Sequence, residues 1–306
     1  MKKTRVGVIG VGYLGRFHAL KYAAMEDVDL AGIVDTDKGR AQAVAEETGA
    51  KAYSDYREIM DGLDAVSIAV PTTMHEEIAI PFLEKGIGVL LEKPMAHDLE
   101  AGQRIMETAA RNNALLQIGH LERFNPALLR LSDDIKDPMF IEAHRISPFT
   151  ERGSDVDVFL DIMIHDIDII LSLVDSQISS VETVGVPVLT DQVDIANTRI
   201  RFESGCIANI TASRVSADVM RKIRIFQNNA YISIDFSGHS VDVYTLSQDR
   251  RIQHAGYHIS ETDALAAEIR SFIDALTGSG KVIVDGKAGL RAMEVAFMIK
   301  DAMINP

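Results

Sequence analysis

Two sets of side chains are spaced for catalysis and cofactor binding. At about 100° per residue, Asp161, His165, Asp168 and Ser172 fall on one narrow stripe of a helix otherwise made of Phe159, Ile162, Met163, Ile167, Ile169, Ile170 and Leu173. A histidine one turn from a carboxylate suits a general base whose ring is oriented by the acid, a pair fit to remove the proton of an alcohol. The second set is Gly10-Val-Gly12-Tyr-Leu-Gly15 with Asp35 further on. There the first glycine makes a tight turn, the second admits a pyrophosphate close to the backbone, and the third lets the helix pack on the strand. The helix start then holds the negative charge. Asp35 is placed to accept hydrogen bonds from the adenosine ribose hydroxyls. It would repel a 2′-phosphate, and no arginine stands in Thr36-Asp37-Lys38, so NAD is expected over NADP, with Lys38 softening the repulsion.

Lys93 lies at the carboxyl end of an apolar strand, where open α/β sheets bind ligands. Pro94 restricts its backbone to extended geometry. Beside an oxidised nicotinamide such a lysine is a candidate to share in proton transfer, and a plain surface lysine is the alternative. Arg123, Arg145 and Arg152 are cationic candidates for a diphosphate or carboxylate, or salt-bridge partners on an acidic surface. Asp166 falls in the apolar arc and is expected to bond backbone or an arginine. Asp161 and His165 also suit a metal, but no third ligand stands near them, and no metal is expected.

The elements that must hold these residues follow a rhythm. Up to Gly119, strands and helices alternate as in a parallel sheet covered on both faces. Strands are expected at 6–9, 28–34, 51–53, 64–70, 87–91 and 115–118, with helices at 16–25, 38–48, 76–85 and 99–112. Beyond Gly119 a strand at 140–146 precedes the long helix 157–174. Strand-like stretches follow at 181–188, 195–202, 206–213, 222–227 and 231–236, a largely antiparallel sheet. Helices at 263–276 and 288–303 close the chain. The expected organisation is α/β: a doubly wound nucleotide-binding domain over residues 1–119, and an α/β domain with a large open sheet over 120–306.

With 306 residues and 47% hydrophobic content, the chain can bury two cores. A net charge of −14 argues against nucleic acid or an anionic membrane as partner. No apolar run reaches the ~18 residues of a membrane span, and the glycine-rich start is not a signal peptide. The single cysteine, Cys206, excludes an internal disulfide framework and fits a cytoplasmic setting. A sheet that long needs a cover, so a homodimer or homotetramer is expected.

The chain resembles the Gfo/Idh/MocA oxidoreductases over its whole length. The likeness is carried by Gly10-Val-Gly-Tyr-Leu-Gly15, Pro71-Thr-Thr-Met-His75, Glu92-Lys93-Pro94 and Asp161-x-x-x-His165-Asp166. It implies an NAD-dependent dehydrogenase in which Gly10, Gly12, Tyr13, Leu14, Gly15, Thr72, His75, Glu92 and Lys93 border the cofactor. It also implies that Lys93, Asp161 and His165 line the site of reaction. Arg123-Phe-Asn125-Pro126 is similar to a run in sugar-nucleotide 3-dehydrogenases, which oxidise the C3 hydroxyl of UDP-linked sugars. That likeness implies UDP-N-acetylglucosamine or a close relative as substrate, with Arg123, Asn125, Arg145 and Arg152 binding it. A free-sugar or inositol dehydrogenase and a non-catalytic NAD-binding sensor are the other readings.

Overall fold

A computed structural model of the chain describes residues 3–131, 134–149, 157–259 and 263–303. It divides into two units, Met1–Phe124 with Asp263–Leu290, and Asn125–Thr262 with Arg291–Pro306. In the first unit, strand β1 (Thr4–Ile9) is followed by α1 (Tyr13–Ala23), β2 (Val28–Val34), α2 (Lys38–Thr48), β3 (Ala52–Tyr53), β4 (Ala65–Ile68), α3 (His75–Glu84), β5 (Gly88–Glu92), α4 (Leu99–Arg111) and β6 (Leu116–Gly119). The strands are apolar on both faces because helices cover both, as a parallel sheet requires; every residue of β4 and β5 is buried. Asp37 and Asp98 start α2 and α4 by accepting the N–H of Arg40 and Ala101.

The six strands are ordered β3-β2-β1-β4-β5-β6, and each neighbouring pair is parallel. The winding reverses between β1 and β4. That point opens a crevice at the strands' carboxyl ends, into which the loops after β1, β2 and β4 project.

The second unit begins with α5 (Pro126–Leu131) and β7 (Phe140–Ile146). A π-helical turn (Phe159–Met163) runs into α6 (Ile164–Leu173). Then come β8 (Ile178–Val186), β9 (Ile195–Phe202), β10 (Ile207–Ser213), β11 (Met220–Gln227), β12 (Ala230–Asp235), β13 (Ser240–Leu246) and β14 (Ile252–His258). Their order is β14-β13-β12-β11-β7-β10-β9-β8. Among the described strands of this sheet, β7 and β10 pair in parallel and the other neighbours pair antiparallel. Strict alternation buries Ile141, Ala143, Ile210, Ile223, Ile225 and Ile232 on the face that meets α6. The other face carries half-buried or exposed Glu142, Arg224, Arg199 and Glu182. It also carries a row of stacked rings, Phe140, Phe226, Tyr231, Tyr244 and His254, with centroids 4.4 to 5.7 Å apart.

The loop before β9 is fixed by buried Asp194. Its Oδ2 accepts the N–H groups of Val188, Leu189 and Thr190 at 2.8, 2.7 and 2.9 Å. The same loop lends the Val193 carbonyl to the N–H of Val158, just before the π turn.

Helix α7 (Ala264–Thr277), capped by the Asp263 side chain, returns to the first unit. Its Leu265, Ile269, Phe272 and Ile273 share a core with Val8, Ile33 and Leu90. A division read along the chain at Gly119 leaves this helix with the later residues; the structure gives it to the earlier ones. Helix α8 (Gly286–Asp301) follows. No helix among the described residues is long and apolar enough to cross a membrane.

Candidate active site

The crevice of the first unit is a cleft of about 550 Å³ whose lining includes Gly10, Gly12, Asp35, Arg40 and Pro71. Its three glycines differ physically. Gly10 has φ +78°, and a Cβ there would meet the Ala69 carbonyl at 2.6 Å. A Cβ on Gly15 would lie 1.8 Å from the Gly10 carbonyl, which no side chain tolerates. A Cβ on Gly12 would meet nothing within 4 Å. Packing therefore explains Gly10 and Gly15 but not Gly12, whose bareness suits a ligand lying on the backbone at the start of α1. Tyr13 is 67% exposed beside Gly12, and Leu14 is half-buried.

Asp35 is buried at the end of β2. Its carboxylate accepts the N–H of Val11 at 3.0 Å and of Asp37 at 2.9 Å, which ties the glycine turn to the second strand. The Arg40 guanidinium lies 3.4 Å from it. That contact was not read from the sequence, where Lys38 seemed the nearest compensating charge. The signal was there, since a residue in the first turn of a helix capped by Asp37 lies over its own start. The cleft thus has the parts an NAD molecule needs: a bare turn for the pyrophosphate and a held carboxylate for the ribose.

Lys93 directly follows β5, and the Lys93–Pro94 bond is cis. Two neighbours fix its surroundings. Glu92 is buried and accepts the Lys93 N–H through Oε2 at 3.3 Å. His75, 1% exposed, bridges loops: Nδ1 sits 3.1 Å from the Pro94 carbonyl and Nε2 sits 3.0 Å from that of Val70. Burial holds the His75 pKa below the usual histidine value, against the pull of the Val70 and Met95 carbonyls. The neutral ring has one N–H to donate and lies packed between the Lys93 loop and the loop after β4, where Thr72 opens a 3-10 turn and is half-buried.

In the second unit, Asp161 and His165 are half-buried and Ser172 is exposed, whereas Asp168 is buried. The polar stripe is accessible in part, and Asp161 lies in the π turn. Asp157 starts this helix, accepting the N–H of Phe159 and Leu160 at 3.1 and 3.2 Å. Asp166 bonds an arginine, as its place in the apolar arc suggested. The partner is Arg145, whose guanidinium reaches it with Nε at 3.2 Å and Nη2 at 2.9 Å. Arg145, a candidate for substrate or for a salt bridge, is 7% exposed and ion-pairs with Asp166, which ties α6 to β7 beside His165.

Asn125 likewise has a local duty: its Oδ1 accepts the Ala127 N–H at 3.0 Å and starts α5. Arg123 is half-buried in the 3-10 turn Leu121–Phe124. Arg152 lies outside the described residues. Cys206 is buried, and burial pushes its thiol up to about 11, which removes it as a nucleophile.

Residues 4–120 match the oxidoreductase family model with an NAD-binding Rossmann fold, and residues 136–233 match the GFO/IDH/MocA C-terminal domain. The chain is 37% identical to the UDP-N-acetylglucosamine 3-dehydrogenase of Acidithiobacillus ferrooxidans, over 99% of this chain and 98% of that protein. The solved structure of that enzyme superposes with a TM-score of 0.93 over the same shares of the two chains. A scyllo-inositol 2-dehydrogenase (NAD(+)) of Bacillus subtilis is 30% identical over 70% of this chain and 68% of its own length. A Lactobacillus casei scyllo-inositol dehydrogenase solved with NAD(H) and scyllo-inositol shares the fold, at 20% identity and a TM-score of 0.84 over 99% of this chain and 97% of its own.

Proposed function

The chain belongs to the Gfo/Idh/MocA oxidoreductases and binds NAD, and from that premise we propose that it oxidises the C3 hydroxyl of a UDP-linked N-acetylated sugar to a ketone. The observation that carries this reading is the 37% identity, end to end, with an enzyme named for that reaction. The inositol dehydrogenase of Bacillus subtilis matches at lower identity over less of the chain.

Gly10, Gly12 and Gly15 with Tyr13 and Leu14 hold the pyrophosphate, Asp35 the adenosine ribose, and Thr72, His75, Glu92 and Lys93 the nicotinamide side. NAD, when bound, accepts the hydride from the carbinol carbon. His165 takes the hydroxyl proton as that carbon becomes a carbonyl. Asp161, one turn earlier, orients the ring or grips a neighbouring hydroxyl, and Lys93 hydrogen-bonds the reacting oxygen. Arg123, with Asn125 and Arg152, serves the diphosphate and sugar. Arg145, ion-paired with Asp166, joins that group and also holds α6.

The half-exposed face of the eight-stranded sheet, with aromatic rows and both signs of charge, supports a homodimer or homotetramer closed through that face. Light scattering giving a stable monomer at micromolar concentration would remove this part. A cytoplasmic enzyme is consistent with one buried, unreactive thiol.

The deciding experiment offers UDP-N-acetylglucosamine with NAD and traps the ketone with a carbonyl reagent, because such an oxidation runs uphill. Calorimetry accompanies it. Affinity for inositol or glucose with none for any UDP-sugar would refute the sugar-nucleotide reading and leave the family assignment intact.

A further inference from the structure

Directly behind Lys93, the first unit buries a chain of polar side chains that the reaction above leaves without a task. The Tyr22 hydroxyl lies 2.9 Å from Ser67 Oγ, Ser67 Oγ 3.2 Å from His18 Nδ1, and His18 Nε2 3.0 Å from Glu92 Oε1. With the His18 proton on Nε2, every link donates in one direction: Tyr22 to Ser67, Ser67 to His18, and His18 to Glu92. Glu92 then uses its other oxygen for the Lys93 N–H. A Cβ on Gly119 would sit 2.9 Å from the Glu92 carboxyl carbon, so the glycine leaves the space this carboxylate fills.

Glu268 of α7 meets this chain from the opposite side. It is fully buried among Leu265, Ile269 and Phe272 of its own helix. One ring nitrogen of His18 and one carboxylate oxygen each of Glu92 and Glu268 lie within 4.8 Å of one another. Neither Glu268 oxygen has a hydrogen-bond partner among the described residues. His18 Nε2 and Glu92 Oε1 are already spent on each other, so the group reads as a network holding a proton rather than a cation site. Two buried carboxylates this close do not both ionise. Glu92 has two N–H groups directed at it and Glu268 has none, so the proton stays on Glu268.

We propose that Glu268 is a positioning residue acting through Glu92: as a neutral acid it leaves Glu92 the single negative charge behind Lys93 and keeps that carboxylate on the Lys93 N–H. Burial drives the Glu268 carboxyl well above the usual carboxylate range, and the charge of Glu92 drives it further. Ionising Glu268 would push Glu92 away from His18 and release the Lys93 backbone. The other groups on the elements packed around it are known. Helix α1 brings His18 and Tyr22, the latter kept neutral by burial. Strand β5 brings Glu92, with Lys93 next to it, and β6 brings the uncharged Gln117, whose amide donates to the Glu268 carbonyl at 3.2 Å. The turn Leu121–Phe124 carries Glu122 and Arg123. At the helix surface, Asp263 and Arg270 are paired with Lys21 and Asp27.

The inference rests on Lys93 serving the nicotinamide side of the site, and its test reads NAD affinity as well as turnover. NAD binding to the unmodified protein, Glu268→Gln, Glu268→Leu and Gly119→Ala is measured by calorimetry from pH 6 to 10. Affinity of the unmodified protein should fall by about tenfold or more on the alkaline side. Glu268→Gln, a neutral isostere, should abolish that fall and keep turnover within roughly threefold at pH 7. Glu268→Leu, also neutral, should abolish the fall as well, because the Glu268 carboxyl makes no hydrogen bond among the described residues that leucine would lose. Gly119→Ala, which displaces Glu92 directly, should weaken NAD by about tenfold at pH 7, and Glu268→Gln carries the test if Glu268→Leu does not fold. Weak NAD binding by Glu268→Gln at pH 7, or an unchanged alkaline fall in Glu268→Gln or Glu268→Leu, would each overturn the proposal. If no sugar nucleotide is oxidised, the binding arm still decides it, so failure of the substrate reading is told apart from failure of this one.

Discussion

Replacing Asp35 by serine should reverse the choice between NAD and NADP, and Arg40 sets the size of the change. In the unmodified protein a 2′-phosphate would approach a buried carboxylate. Two unit charges about 4 Å apart interact by about 1 kcal/mol in water and about 4 kcal/mol at an effective dielectric constant near 20. A second negative charge on the phosphate increases this repulsion. The Arg40 guanidinium, 3.4 Å from Asp35 and about half exposed, cancels part of it. A net preference for NAD of at least about 1.4 kcal/mol, or tenfold, follows. Asp35→Ser removes the repulsion and leaves Arg40 facing the phosphate. NADP should then bind about tenfold more tightly, an advantage that shrinks as salt is raised because Arg40 is solvated.

The same substitution should weaken NAD by about 1.5–3 kcal/mol, the scale of a hydrogen bond to a charged acceptor. Serine can still accept the Val11 N–H, so the glycine turn should hold. Titration of both cofactors at two salt concentrations, with Arg40→Ala and the double variant, separates the contributions. An unchanged NAD:NADP ratio in Asp35→Ser would refute the assignment of Asp35. A rise in NADP affinity in Arg40→Ala would refute the role given to Arg40.

His165→Ala and Lys93→Ala should each lower turnover by roughly a hundredfold or more without unfolding the chain, and steady-state kinetics beside circular dichroism checks both. NAD affinity should survive His165→Ala, and full activity in that variant would end its assignment as the base. Arg145→Ala should cost about 3–5 kcal/mol in urea unfolding, because it strands the buried Asp166 charge. Adding Asp166→Leu to Arg145→Met should recover most of that loss. At Asp194, burial alone would raise the carboxyl pKa, but the N–H groups of Leu189, Thr190 and Val188 overrule it and hold it far below the usual range. A depressed folded pKa gives stability that is full above the unfolded value near 3.9 and is lost as pH falls through the folded value. Asp194→Asn should therefore unfold more easily at pH 7, by about 1–3 kcal/mol, with a gap that narrows in acid.

Much of the nucleotide-binding unit can be read from its sequence because its central strands β4, β5 and β6 are buried throughout and its elements are bounded by turn or cap residues. Strand β9 was read to the residue, and β10 and β11 to within two, because strict alternation marks a half-buried sheet. Strands β13 and β14 were missed. Their residues Ser240–Leu246 and Ile252–His258 are mostly half-buried or exposed, so no apolar period distinguishes them from a polar loop. What makes them strands is pairing with β12, a non-local cause that a single sequence does not display. The π turn across Asp161 escaped for a related reason: its backbone register is set by Asp157 and by the Asp194 loop, more than thirty residues apart.

The site residues divide along the same line. Gly10, Gly15 and Asp35 are legible because local backbone demands dictate them. For Arg145 the sequence shows the charge but does not name its partner, Asp166, because the pairing of β7 with α6 is non-local. Glu268 does leave a signal in the sequence. It stands three residues after Leu265 and four before Phe272, squarely within the apolar stripe of α7. His18 has the same character, four residues before Tyr22 on the buried side of α1. A charged residue inside an apolar stripe is costly unless something meets it. Two such residues on helices that share one core are each other's natural partners. That both reach Glu92, the residue before Lys93, is the reason to regard the buried network as part of the active site's support, and not as an accident of packing.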